Sequence, residues 1–282
     1  AALMAAEAAA GAISLDGVSS YSENFDTLAN SPVNNTSTIL PFGWAFAETG
    51  TNAETTYSIS DGSSNAGNTY SYGSGVQTDR ALGALQSGSL IPLPGVNFLN
   101  NSGQSITALV ISYVGEQWRL GESSRVSPDR LDFQWSTDAV SLTTGTWNNF
   151  DALDFVAPVS AGTIGALNGN LAANQQSLLG TLTGLSIGNG TYFWLRWTDY
   201  NVAAADDGLA IDNFSLTART SVDPPAPVPL PATAWLLLSG LGMTGSLEGT
   251  DFGVDSISWS AYSTIGDSTH PVAGHRSGIV QL

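Results

Sequence analysis

The sequence predicts an all-β chain, an antiparallel two-sheet β-sandwich of jelly-roll type. Three observations predict it. Clusters rich in Gly, Asn, Ser and Asp cut residues 20–220 into short segments. Those segments alternate large apolar with polar residues, as half-buried strands do. No stretch long enough to matter holds a 3.6-residue period; Ala172–Leu179 is the nearest to one. About ten to thirteen strands in such a length suit two packed sheets, whose inner faces take the Trp and Phe and whose outer faces take Ser and Thr.

Residues 1–19 are a lead outside the fold. AALMAAEAAAGAI is small and apolar apart from Glu7. The A-x-A-like Ala8–Ala12 suits either the end of a signal peptide or a disordered or helical extension. Strands follow. Ala108–Tyr113 puts Leu109, Ile111 and Tyr113 on one side. Leu131, Phe133 and Trp135 alternate with Asp132 and Gln134. Tyr192–Thr198 alternates with bulk on both faces, and Leu209–Leu216 closes the domain at about residue 220. Residues 221–231 are a linker: the five prolines of Val222–Pro231 force an extended, polyproline-like connector. The uncharged segment 232–247 is shorter than the roughly 20 residues that span a bilayer. Residues 248–282 are a polar tail with one strand-like run, Val254–Ala261. That run repeats the pattern of Ile211–Ala218, with Asp, Ser and Ala in the same register. Either two strands resemble each other by chance, or the tail carries a spare last strand able to complete a sandwich edge.

Composition removes several chemistries. Seven Arg and no Lys stand against 24 acids, a net charge of −17, so a nucleic-acid phosphate backbone is not an expected partner. The absence of Cys rules out disulfides, thiolate metal sites and a Cys nucleophile. The absence of Lys rules out a Schiff base. The two His are His270 and His275, so residues 1–269 supply no imidazole base. Charged residues are 11% of the chain, against about 25% in ordinary globular proteins, a profile that suits an extracellular β protein.

The stretch Val228–Gly242, with Val228, Pro229, Leu230, Pro231 and Ala232 followed by Thr-Ala-Trp-Leu-Leu-Leu, resembles the sorting signal of PEP-CTERM proteins in its VPLPA variant. The resemblance implies export to the cell surface of a Gram-negative bacterium and processing by an exosortase. The basic cluster that ends such signals is missing, because only Arg276 follows. Residues 20–218 also resemble a module of such exported proteins and of some secreted multidomain hydrolases. Glu23–Asp26, Thr78–Gly83, Gly115–Arg119, Asp129–Ser136, Trp194–Asp199 and Asp206–Phe214 carry that likeness. It implies a place of action rather than a reaction.

Three constellations are candidate sites. In many jelly-roll carbohydrate-binding modules the first and last strands are neighbours and share a structural Ca²⁺. That likeness implies Glu23, Asp26, Asp207 and Asp212 as ligands, since Ca²⁺ takes converging carboxylate and carbonyl oxygens. The alternative is that these acids cap turns. Arg80, Arg119, Arg130 and Arg196 each lie within three residues of a carboxylate. They form either a polar ligand groove floored by Glu116 and Arg119, or ion pairs closing strand ends. Trp194 and Trp197, three apart on one strand, point to opposite faces, so one is expected outside the core as a stacking platform for a sugar ring. The expected function is therefore a non-catalytic, exported cell-surface or matrix protein that binds polysaccharide. The alternatives are a structural protein that self-associates through terminal strands and a hydrolase built on carboxylates alone.

Overall fold

The computed structural model describes residues 11–17, 20–220, 256–265 and 272–281. The linker 221–231, the motif Val228–Ala232, the apolar segment 232–247 and the start of the lead lie outside the described residues. The chain divides into two compact units, Ala1–Asp223 and Pro224–Leu282.

Among the described residues the first unit has sixteen strands. They are β1 (Ile13–Leu15), β2 (Ser20–Glu23), β3 (Thr36–Ser37), β4 (Trp44–Thr49), β5 (Tyr57–Ser60), β6 (Asn68–Tyr72), β7 (Ala81–Leu85) and β8 (Ile91–Asn100). There follow β9 (Ile106–Leu120), β10 (Arg130–Ser136), β11 (Asn148–Asn149), β12 (Phe155–Val156), β13 (Gly165–Ala166), β14 (Gln175–Ile187), β15 (Tyr192–Asp199) and β16 (Gly208–Thr220). One sheet has seven strands and runs β1-β8-β15-β10-β11, with β4 on β8 and β12 on β10. The other has nine and runs β13-β9-β16-β7-β6-β5-β3, with β14 on β9 and β2 on β16. The unit is thus the two-sheet sandwich of jelly-roll type that the sequence predicts, with β2 and β16 as neighbours. The sheets are mixed rather than wholly antiparallel: β1 runs parallel to β8, and β5 parallel to β6. The expectation that residues 1–19 lie outside the fold is corrected by β1, whose Ile13 and Leu15 are buried in the core.

Between the sheets lies an aromatic core. Trp197 is fully buried there, with ring centroids 5.8 Å from Trp44, 5.5 Å from Tyr113, 5.4 Å from Phe133 and 5.8 Å from Phe214. Phe193, Leu195 and Trp197 face this core together from β15. On the opposite face of β15, Trp194 packs with Ala45, Ala47, Leu93 and Leu142 in a second apolar cluster. A strand covered on both sides has no reason to alternate, which explains the bulk of Tyr192–Thr198. A third cluster, Tyr70, Tyr72, Leu85 and Trp118, covers the outer face of the nine-stranded sheet. The near-helical stretch Ala172–Leu179 resolves into one 3₁₀ turn, Ala172–Asn174, running into β14.

In the second unit Ser256–Ile265 and Val272–Gln281 form an antiparallel hairpin, with Ser256 opposite Gln281 and Ile265 opposite Val272. The strand-like run of the tail therefore has a partner within its own unit. Among the described residues no helix is long and apolar enough to cross a membrane.

Candidate functional site

Strand direction brings four loops to one end of the sandwich. Gly208 at the start of β16 lies opposite Arg119 near the end of β9, and Leu209 opposite Ala84 near the end of β7. Leu131 at the start of β10 faces Asp199 at the end of β15. The loops 61–67, 86–90, 121–129 and 200–207 therefore gather there.

Strand alternation then decides what lies beneath them. Residues two apart on a strand share a face. The inward row of β10 is Phe133 and Leu131, and its continuation is Asp129. On β15 the row Leu195 and Trp197 ends in Asp199, and on β16 Ile211 and Leu209 are preceded by Asp207. The apolar core thus gives way to carboxylates at this end. Asp129 is 0% exposed, Asp199 3%, Asp206 6% and Asp207 1%.

These acids take most of their partners from backbone amides. Asp129 Oδ1 accepts from the Arg130 amide at 2.8 Å and its Oδ2 from the Asp207 amide at 2.6 Å. Asp207 Oδ1 accepts from the Gly121 amide at 2.6 Å, and Oδ2 from Gln117 Nε2 at 2.8 Å. Gly121 must be glycine, because a Cβ there would lie 2.0 Å from the Asp206 carbonyl oxygen. Arg125 bridges two of the acids, with Nη1 3.4 Å from Asp129 and Nη2 3.1 Å from Asp207, and donates to the Ala205 carbonyl. Burial, and then the neighbouring acids, push Asp129 up to about 7. Asp199 is held well above the ordinary carboxylate range, chiefly by burial and then by Asp129 and Asp206.

Two clefts open among these loops and share Ala204. The larger, about 450 Å³, is lined by Glu122, Ser123, Arg125, Tyr200, Asn201 and Val202. The Arg130 guanidinium lies 3.8 Å from the centroid of the Tyr200 ring, and Tyr200 remains 41% exposed. The smaller cleft, about 200 Å³, is lined by Asn65, Gln86, Ser87, Arg119 and Asp206.

The residues singled out in the sequence are scattered. Arg119 lines the smaller cleft and donates from Nη1 to the Gly62 carbonyl at 3.1 Å. Glu116 is not beside it in a groove. It is 4% exposed on the outer face of the nine-stranded sheet and accepts from Trp118 Nε1 at 2.9 Å. Trp194 and Trp197 do point to opposite faces, yet both are buried, at 5% and 0%, because a second apolar cluster covers Trp194. Of the four arginines paired by sequence, Arg130 makes its ion pair, with Asp132. Arg80 donates instead to Ser71, Arg119 to Gly62 and Ser63, and Arg196 to Gln134 and Leu142.

Glu23, Asp26, Asp207 and Asp212 do not form one ligand set. Asp207 faces inward at the loop end, whereas Glu23 pairs with Phe214, seven residues further along β16 and so about 23 Å away at 3.3 Å per residue. A bulge at Asp212–Asn213, with Asn213 at φ 49°, separates the inward Ile211 from the inward Phe214 and leaves Asp212 on the outer face. Glu23 accepts from the Phe25 amide at 2.9 Å and Asp26 from Asn24 at 2.6 Å, the turn-capping alternative. The residues therefore do not fit a shared ion. The acids that do converge are Asp129, Asp199 and Asp206, each offering an oxygen within 4.8 Å of the others. Asp129 and Asp199 could have been found by carrying the apolar alternation of β10 and β15 one step beyond its last large residue.

No family model matches the chain, and no curated protein matches it. Among solved structures, the K2 adhesin domain of Lys-gingipain is similar at 12% identity and TM-score 0.37, over 71% of this chain and 99% of that one. A CBM61 module in complex with β-1,4-galactotriose is similar at 9% identity and TM-score 0.28, over 50% and 72%. The CBM22-1–GH10 modules of Clostridium thermocellum xylanase 10B, with xylohexaose, are similar at 12% identity and TM-score 0.31, over 72% of this chain and 28% of that one.

Proposed function

We propose that the first unit is a non-catalytic carbohydrate-binding module of an exported, cell-surface or matrix protein, and that it takes its glycan in the loop-end cleft at Tyr200. The observation that carries the reading is that cleft, about 450 Å³ with an exposed aromatic ring among hydroxyl, amide and charged side chains. A sugar ring lays its C–H face on an aromatic while polar groups take its hydroxyls. A single carboxyl, Glu122, is among the residues lining the cleft, whereas hydrolysis of a glycosidic bond needs a flanking pair. Export rests on the likeness of Val228–Gly242 to a sorting signal. Binding of the full-length chain to a polysaccharide array, with and without Ca²⁺, tests the reading; no retained glycan on any array would overturn it.

A second reading, self-association, is favoured by the hairpin of the tail. A lone two-stranded hairpin is marginal in water and gains from pairing with another sheet edge. Deleting residues 251–282 then abolishes higher-order assembly in sedimentation. An unchanged distribution removes this reading.

A further inference from the structure

We propose that Asp129, Asp199 and Asp206 hold a hard divalent cation, Ca²⁺ by preference, beneath the loop-end clefts. The site is distinct from the β2–β16 location that sequence likeness implies, and it stands whether or not the cleft above takes a sugar.

The geometry fits an ion. One oxygen from each carboxyl lies within 4.8 Å of the others. Oxygens at 2.3–2.6 Å from a shared Ca²⁺ are at most about 5 Å apart.

The hydrogen bonding leaves acceptors over. Asp199 Oδ2 is used by the Gln86 amide at 2.9 Å, but Asp199 Oδ1 is buried with no hydrogen-bond partner. Gln86, whose backbone amide donates to Asp199, is 4% exposed, and its side-chain oxygen is also buried without a donor. Both are acceptors while Asp199 is ionised, and a cation on its carboxylate would give Asp199 Oδ1 the partner it lacks. A buried acceptor left without a partner costs about 1–3 kcal/mol, more when charged.

Charge points the same way. Among the described residues Arg125 is the one cation in an ion pair with this group, and it pairs with Asp129 and Asp207, not with Asp199 or Asp206. Four carboxyls therefore share one guanidinium. The donor set is all oxygen, with no His or Cys, which selects a hard ion over Zn²⁺. Ca²⁺ is preferred to Mg²⁺ because carboxylates fixed by backbone amides do not readily adopt the strict octahedron that Mg²⁺ requires.

The test uses the full-length chain, stripped with chelator, dialysed at neutral pH and titrated with CaCl₂ by calorimetry, with metal content read by elemental analysis. We expect one Ca²⁺ per chain and a melting temperature raised by about 5–10 °C at a hundredfold excess over Kd. Asp199→Asn and Asp206→Asn keep the acceptors for the Gln86 and Val202 amides. Each should weaken Ca²⁺ binding at least tenfold while far-UV circular dichroism stays that of the parent. Asp26→Asn should bind as the parent does. No binding by the parent at about 10 mM Ca²⁺, above the weakest extracellular sites, overturns the proposal. So does undiminished binding in both Asp199→Asn and Asp206→Asn, or loss of binding in Asp26→Asn alone, which would place the ion at the β2–β16 edge.

Discussion

Asp212→Asn should make the protein markedly less sensitive to alkaline pH. Asp212 is 3% exposed and Glu116 4%, on the outer faces of neighbouring strands β16 and β9. Glu116 has the indole of Trp118, and Asp212 Oδ2 accepts from Asn213 Nδ2 at 2.7 Å while its Oδ1 is buried without a partner. Burial pushes Glu116 up to about 7. Burial and then the Glu116 charge push Asp212 from 3.8 up to about 8.

Because the folded state keeps a proton that the unfolded state releases, stability falls as pH rises between 3.8 and about 8. From about pH 5 to pH 8, at about 1.36 kcal/mol per pH unit, Asp212 alone removes about 3–4 kcal/mol. Asn keeps the shape and does not titrate. Urea unfolding of parent and variant at both pH values reads the difference directly. The variant should gain about 3–4 kcal/mol on the parent between the two. Parallel loss of stability in both proteins would mean that Asp212 is ionised in the fold throughout this range.

Arg125→Ala leaves Asp129 and Asp207 buried without their cation and should cost about 3–5 kcal/mol in chemical denaturation, more at pH 8 than at pH 5. Trp197→Ala empties the centre of the aromatic core and should cost about 3–5 kcal/mol, read as a lower urea midpoint with unchanged slope. Gly62→Ala puts a Cβ 1.9 Å from the Trp118 carbonyl oxygen at φ +86° and should lower stability by more than about 1 kcal/mol; an unchanged melting curve would count against the loop 61–67 as placed.

The sandwich was legible because its strands alternate. Leu131 and Phe133 are buried at the positions their spacing requires. The adjacency of β2 and β16 also matched expectation. The parallel pairings were not legible, since nothing local to Ile13–Leu15 or Tyr57–Ser60 fixes the direction of a partner distant in sequence. The burial of Trp194 depends on what covers the outer face of β15, which Leu142 helps to do from another part of the chain. The site was legible only in part. Alternation places Asp129 and Asp199 on inward rows, but their meeting depends on β10 and β15 being neighbours in the sheet. Asp206 joins them from the loop before β16. The bulge at Asn213 leaves Asp212 on the outer face, and no residue pattern announced it.

Glycan binding in the cleft at Tyr200 is tested by titration calorimetry of Tyr200→Ala against the best array ligand. Removing a stacking ring worth about 1–2 kcal/mol should weaken binding about tenfold. The melting temperature should hardly move, since Tyr200 is 41% exposed. An affinity equal to that of the parent would mean that the glycan does not stack on Tyr200.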